Sequence, residues 1–144
     1  MSREFVALAI MGIDQHENGA VAVARVLREA QMKVEYLGKF QTPASVADKA
    51  IRQGADVVGI SCHSWEYMCL VPQLLEELKA RGSDIPVVIG GSVITPEDGE
   101  KMRQSGVAAV FTNSTDSNAV IECVRALSAA RKRPDRPPGK AGCA

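Results

Sequence analysis

No C-x-x-C pair, no long apolar run and no excess of one charge occur in this 144-residue chain, and each lack closes a class of function. The four cysteines, at positions 62, 69, 123 and 143, are spaced for neither a structural zinc site nor a redox motif. Cys69 and Cys123 fall in apolar helical patterns and read as small buried hydrophobes, and all four are expected to be free thiols. Lys plus Arg balance Asp plus Glu at 17 each, so no global field recruits nucleic acid or an anionic membrane. The longest apolar stretch, Phe5 to Ile13, is too short to span a bilayer. It also lacks the basic run before it and the small-residue site after it that mark a secretory signal. The cytosol is the expected compartment. The length suits one domain with a single core, and a composition of 46% hydrophobic and 24% charged residues is ordinary for a globular chain.

What is present is a regular alternation. Phe5–Met11, Val34–Leu37, Val57–Ser61, Pro86–Gly90 and Ala108–Phe111 are short, continuous apolar runs, most of them rich in β-branched residues. Such runs fit strands covered on both faces. Between them, Val23, Val26, Leu27 and Ala30 follow helical spacing, as do Val71, Leu74, Leu75 and Leu78, and Val120, Cys123, Val124 and Leu127. Thr42-Pro43 and Thr95-Pro96 each put a capping residue before a proline suited to a first helical turn. Five strands alternating with five helices predict an α/β fold, a doubly wound parallel sheet in the flavodoxin-like order 2-1-3-4-5. The domain is expected to span residues 1–130; the Pro-, Gly- and Arg-rich segment 131–144 is expected to be a disordered tail. No internal repeat is visible.

In this fold ligands sit where the winding reverses, beyond the carboxyl ends of the first and third strands. The loop after the first strand reads Gly12-Ile13-Asp14-Gln15-His16-Glu17-Asn18-Gly19 and carries one of the chain's two histidines. Imidazole is the commonest nitrogen ligand for a transition metal, and Asp14 is near enough in sequence to hold its second nitrogen. Gly19 would let the backbone turn close beneath a bulky planar ligand. The plain alternative is a solvated loop in which Asp14 caps a helix and His16 has no role. After the third strand come Ser61, Cys62, His63 and Ser64, whose hydroxyls can bind a ligand or, for Ser61, cap the next helix. Gly90-Gly91-Ser92 after the fourth strand permits close ligand approach, or is simple loop punctuation.

Other occupants of such a fold fail at these loops. A phospho-receiver domain needs an acidic pair after the first strand and an aspartate ending the third; Met11-Gly12-Ile13 and Ser61 stand there. The Ser/Thr-rich phosphate loop of flavodoxins and the G-x-G-x-x-G of dinucleotide folds are both missing.

The pattern D-x-H-x-x-G, present as Asp14-Gln15-His16-Glu17-Asn18-Gly19, resembles the signature of cobalamin-binding domains. Two companion features match: a serine ending the third strand, Ser61, and a Gly-Gly ending the fourth, Gly90-Gly91. Phe40-Gln41-Thr42-Pro43 and Ala55-Asp56-Val57-Val58-Gly59-Ile60-Ser61 are similar to stretches of acyl-CoA mutases such as methylmalonyl-CoA mutase, and the likeness covers about residues 4–130. The resemblance implies base-off, His-on binding. His16 would replace the cofactor's dimethylbenzimidazole as lower ligand of cobalt, with Asp14 behind it. The displaced nucleotide tail would enter the crevice between the first and third strands, Ser61 bonding the benzimidazole and Gly90 and Gly91 leaving room.

Three positions depart from the family pattern. Ile10 stands where methylmalonyl-CoA mutase relatives carry lysine, although glutamate mutase also resembles this chain in being apolar there. The family's S-x-L reads Ser61-Cys62-His63, so that His63 replaces a leucine beside the tail. The Gly-Pro-Gly-Thr-like loop after the fifth strand reads Thr112-Asn113-Ser114-Thr115, leaving Thr112 and Ser114 as candidate tail contacts.

Methyl-carrying relatives usually place a helical cap before the cobalamin fold, and a first strand starting near Glu4 leaves no room for one. A mutase needs a TIM barrel of about 250 residues for its substrate. The resemblance therefore implies the small subunit of a two-subunit, adenosylcobalamin-dependent mutase whose large TIM-barrel subunit binds the acyl substrate. A cobalamin carrier, a sensor domain or a corrinoid methyl-transfer protein is the alternative.

Overall fold

The computed structural model describes residues 4–12, 18–112 and 115–131. Its elements are β1 (Phe5–Met11), α1 (Asn18–Glu29), β2 (Lys33–Gln41), α2 (Pro43–Gln53), β3 (Val57–Ser61), α3 (Tyr67–Ala80), β4 (Val87–Gly90), α4 (Pro96–Ser105), β5 (Ala109–Phe111) and α5 (Ser117–Arg131). All strand pairs are parallel, and their order is β2-β1-β3-β4-β5, as the alternation predicted.

Every residue of β1 is buried, because the pleat sends alternate side chains into two separate cores. Val6, Leu8 and Ile10 join Ala20, Ala24 and Leu27 of α1 and Val124 and Leu127 of α5. Phe5, Ala7, Ala9 and Met11 join Val46 and Ala50 of α2, Val71 and Leu74 of α3, and Met102 of α4. The sheet is therefore sandwiched between two helical layers, and Ile10, wholly buried in the α1/α5 layer, brings no charge toward the end of β1.

The two proline-marked helix starts are as expected. Thr42 Oγ1 accepts from the Ser45 N–H at 3.0 Å while Ser45 Oγ accepts from the Thr42 N–H at 2.9 Å, a reciprocal capping box. Thr95 Oγ1 accepts from the Asp98 N–H at 3.1 Å.

Several expectations need correction. β2 runs to Gln41, four residues beyond the predicted Leu37, with register shifts against β1 and positive φ at Gly38 and Phe40. Irregular strand ends break the apolar pattern that sequence reading follows. α1 buries Ala20, Ala24 and Leu27, whereas Val23 is exposed, so its packed stripe is two alanines and one leucine. Cys69 is exposed and free, not buried. Cys62 is a buried thiol outside any disulfide, its Sγ donating to Ile60 O at 3.7 Å, but Cys123 is disulfide-bonded. Spacing excludes a C-x-x-C motif and says nothing about pairs distant in sequence. Arg131, placed in the tail by composition, belongs to α5: its guanidinium donates to Ala55 O at 3.1 Å and to Asp84 Oδ1 at 3.0 Å. The rest of the expected tail, 132–144, lies outside the described residues. No described helix is long and apolar enough to cross a membrane.

Candidate functional site

Parallel register sets the site's floor. Ser61 lies opposite Gly90, and Gly90 opposite Phe111, so these three residues stand abreast at the carboxyl edge of β3, β4 and β5. The edge is tied by backbone bonds, Cys62 N–H to Gly90 O at 2.7 Å and Gly91 N–H to Phe111 O at 3.3 Å.

Beneath α1 and α5, over this face of the sheet, runs a cavity of about 310 Å³. That volume is at the lower end of small-molecule sites and suits a bicyclic base with part of its sugar. Its walls are apolar, from Val6 and Leu8 of β1, Val23 and Val26 of α1, and Val120 and Val124 of α5. Its polar groups gather at the carboxyl end: Ser61, His63, Ser92, Thr112, Thr115 and Ser117.

Two glycines shape it. A Cβ at Gly19 would stand 2.8 Å from the Cε1 and Nε2 atoms of His63, so the imidazole lies directly on the first turn of α1. A Cβ at Gly91 would fall 1.7 Å from the Cys62 carbonyl oxygen, which makes Gly91 obligatory for bringing the ends of β3 and β4 together. Gly90 is freer, the nearest atom to its would-be Cβ being Phe111 Cβ at 3.4 Å.

Ser61 is buried, and its Oγ lies 2.6 Å from His63 Nε2. It does not cap α3, whose N-cap is Glu66. Ser64 is not part of the cavity; its Oγ donates to Glu66 Oε1 at 3.3 Å. The Glu66 carboxylate instead covers Gly12, within 2.8 Å of where a Cβ would be. After β5, the Thr112 N–H donates to Thr115 Oγ1 at 2.9 Å and the Thr115 N–H to Thr112 O at 2.9 Å, closing a tight turn at the cavity's rim.

Of the residues singled out in the sequence, Gly19, Ser61, His63, Gly90, Gly91, Ser92 and Thr112 line this one cavity. Asp14, Gln15, His16 and Ser114 lie outside the described residues. Sequence reasoning missed the roles of Val23, Val26, Val120 and Val124, assigning them only to helix packing. The signal that marks them is the alanine and glycine content of α1, NGAVAVARVLRE, which holds a helix close to a sheet while leaving a slot beside it.

The site fits a corrinoid nucleotide tail in its own chemistry: an apolar slot with hydroxyls and an imidazole at one end, roofed where glycine removes the side chain.

Comparison with known proteins gives the same direction. The family model described as B12 binding domain matches residues 6–122. The 2-hydroxyisobutanoyl-CoA mutase small subunit of Aquincola tertiaricarbonis is 39% identical over 126 residues, covering 88% of this chain and 93% of that subunit. The pivalyl-CoA mutase small subunit of Xanthobacter autotrophicus is 36% identical, covering 85% and 82%. Against the ethylmalonyl-CoA mutase of Cereibacter sphaeroides the identity is 42% over 101 residues, and this chain spans 15% of that protein's length. Among solved structures, a cobalamin-binding protein from Desulfitobacterium hafniense superposes with a TM-score of 0.75 at 20% identity, over 87% of this chain and 59% of that one, which speaks to the fold. A match across the sheet and all but the last turns of α5, with two relatives of nearly the same extent, settles the affiliation: this chain belongs to the B12 binding domain family.

Proposed function

We propose that this chain is the cobalamin-binding small subunit of an adenosylcobalamin-dependent acyl-CoA mutase, working in the cytosol with a large TIM-barrel subunit that binds the substrate. The observation that carries the reading is the apolar cavity under α1 and α5. Its lining includes Ser61 and also Gly19, which follows Asp14 and His16 closely in the sequence. Likeness to mutase small subunits over most of the length of each supports the division into two chains.

In this reading His16 would hold cobalt through one ring nitrogen and Asp14 would hold the other, fixing the tautomer that can ligate. The nucleotide tail would lie in the cavity against the apolar side chains of Val23, Val26, Val120 and Val124. Ser61 and His63 would meet its base, while Gly90, Ser92 and Thr112 would border its path; Gln15 and Ser114 are assigned as further contacts to the cofactor. Adenosylcobalamin, when bound, supplies a homolytically labile cobalt–carbon bond and hence the radical chemistry of a carbon-skeleton rearrangement. The protein's task would be to hold the corrinoid at the carboxyl ends of the strands, within reach of the partner subunit. Trp65, 65% exposed, and Phe40, 53% exposed, follow β3 and end β2 at this end of the sheet.

The test is titration of the chain with hydroxo- and adenosylcobalamin, alone and with the large subunit, using cofactor labelled with nitrogen-15 in the benzimidazole. After reduction to cobalt(II), electron paramagnetic resonance should show superhyperfine splitting from a nitrogen-14 nucleus, placing a protein imidazole on the metal. His16→Ala should abolish that splitting. An unchanged spectrum in His16→Ala would refute the assigned ligand, and a nitrogen-15 pattern in the unmodified protein would refute the His-on mode.

A further inference from the structure

His63, which stands where the S-x-L pattern has leucine, contacts both Ser61 and the first turn of α1. Among the described residues that line the cavity, His63 is the only titratable side chain. Its imidazole rests on Gly19 of α1 and reaches Ser61 of β3, so it crosses the mouth of the slot from the loop after β3 to the first turn of α1. A leucine here, as in the family's S-x-L pattern, would contribute only apolar surface.

The Ser61–His63 pair is different in kind. At 2.6 Å the two atoms share one hydrogen. With the proton on Nε2, the imidazole donates to Ser61 Oγ and the hydroxyl hydrogen turns into the slot as a donor. With the proton on Nδ1, Ser61 donates to Nε2 and only a lone pair faces the slot. A base released from cobalt carries its former ligating nitrogen as an in-plane acceptor. In an apolar slot that nitrogen is costly to leave without a donor. The bound base would therefore select the first arrangement, in which His63 orients and polarises the Ser61 hydroxyl toward the ring nitrogen.

Resting on the cobalamin reading above, we infer that His63 is a specificity-determining residue for the lower nucleotide: acting through Ser61, it selects corrinoids whose lower base presents a ring-nitrogen acceptor. It is a positioning residue for the Ser61 hydroxyl rather than a group that touches cobalt.

The experiment compares three probes bound to the full chain, with its large subunit if the isolated chain does not bind. These are hydroxocobalamin, a cobamide whose lower base is p-cresol and so lacks a ring nitrogen, and cobinamide, which ends before the nucleotide. Affinities come from absorbance titration, and circular dichroism verifies the fold of each variant. The unmodified protein should prefer hydroxocobalamin to the cresol cobamide by about tenfold or more, the worth of one well-placed buried hydrogen bond. In His63→Leu that preference should fall about five- to tenfold, while affinity for cobinamide and the cresol cobamide stays within about twofold. His63→Gln, which restores an N–H donor, should recover most of it. Should His63→Leu fail to fold, Ser61→Ala should lose the same preference while His63→Gln retains it.

Equal affinity of the unmodified protein for the two cobamides would overturn the inference and leave cobalamin binding standing. So would a His63→Leu protein that loses affinity for all three probes alike, meaning a purely structural plug, or one that binds hydroxocobalamin as well as before or better, meaning an obstruction. Binding of none of the probes, even with the large subunit, would overturn the cobalamin reading itself and this inference with it.

Discussion

The glycine pair ending β4 separates what the fold requires from what a ligand requires, and Gly91→Ala against Gly90→Ala is the perturbation that shows it. A methyl group at 91 would be placed 1.7 Å from Cys62 O, a backbone atom that no rotamer change can remove. Relief requires the ends of β3 and β4 to part by more than about 1 Å, at the site of the 2.7 Å bond from Cys62 N–H to Gly90 O. Losing that bond costs about 1 kcal/mol, and the forced backbone shift adds about 1–3 kcal/mol. A total of about 2–4 kcal/mol corresponds to roughly 10 °C in Tm for a domain of this size. At 90 the nearest atom is 3.4 Å away, an ordinary contact, so alanine should change stability by less than about 1 kcal/mol. Gly54→Ala calibrates the scale: φ is +77° there and nothing lies within 4 Å, so only the left-handed backbone penalty of about 1 kcal/mol applies. The assay is urea unfolding followed by far-ultraviolet circular dichroism, together with hydroxocobalamin affinity. Gly90→Ala should remain folded yet bind several-fold more weakly, because its methyl group thickens the cavity wall. If Gly91→Ala lay within 1 kcal/mol of the unmodified protein, or Gly90→Ala cost as much as Gly91→Ala, the steric argument would be refuted.

Other consequences concern the rest of the chain. Asp56 is buried, accepts the Phe5 N–H at 2.9 Å and lies 3.9 Å from the Arg131 guanidinium, so Asp56→Ala should cost about 2–3 kcal/mol in urea unfolding. A loss below 1 kcal/mol would mean that this contact is not formed in solution. The Tyr67 hydroxyl is buried with no hydrogen-bond partner among the described residues, so Tyr67→Phe should be neutral or stabilise by up to about 1 kcal/mol at pH 7. Burial, helped by the negative charge of Asp98, pushes the Tyr67 phenol up to about 12 from 10.0. A raised value in the folded state means stability is intact below pH 10 and is lost as the pH climbs toward 12, by up to about 2 kcal/mol. Tyr67→Phe should flatten that alkaline limb, and an identical limb in both proteins would assign it to other groups. Trp65→Ala, at a side chain 65% exposed, should leave stability unchanged within about 0.5 kcal/mol in the same assay.

The sheet order was legible because the strands of a parallel sheet, buried on both faces, write themselves as unbroken apolar runs, of which Phe5–Met11 is the clearest. The proline-marked caps at Thr42 and Thr95 were legible because capping is local chemistry. What could not be read was whatever depends on where a helix sits. Val23 and Val120 carry the same apolar signal whether they fill a core or line a slot, and only the tertiary placement of α1 and α5 separates the two. Gly90 and Gly91 are identical in sequence terms, yet only one of them meets a backbone carbonyl. The exposure of Cys69 shows the limit of periodicity in the opposite sense, since one residue's rotation about a helix axis carries it from the core to the surface.

His63 shows why a departure from a family pattern carries more information than agreement with it. Taken alone, a histidine in a loop after a strand is ordinary, and nothing in its neighbours along the chain marks it. The register that sets Ser61 abreast of Gly90, and the glycine that lets α1 approach, together put the ring against a buried hydroxyl in an otherwise apolar slot. At the opposite edge of the sheet, Asp56 ties β1 and α5 with a buried carboxylate that meets the Phe5 N–H and the Arg131 guanidinium. At the carboxyl edge the Ser61–His63 pair can exchange its shared hydrogen between two arrangements, only one of which offers a donor to the slot. A polar pair with two states at the mouth of an apolar cavity selects its guest by hydrogen-bonding character, whereas a leucine at the same place selects by shape alone. The substitution therefore bears on which corrinoids are admitted, and not on whether the fold can hold one.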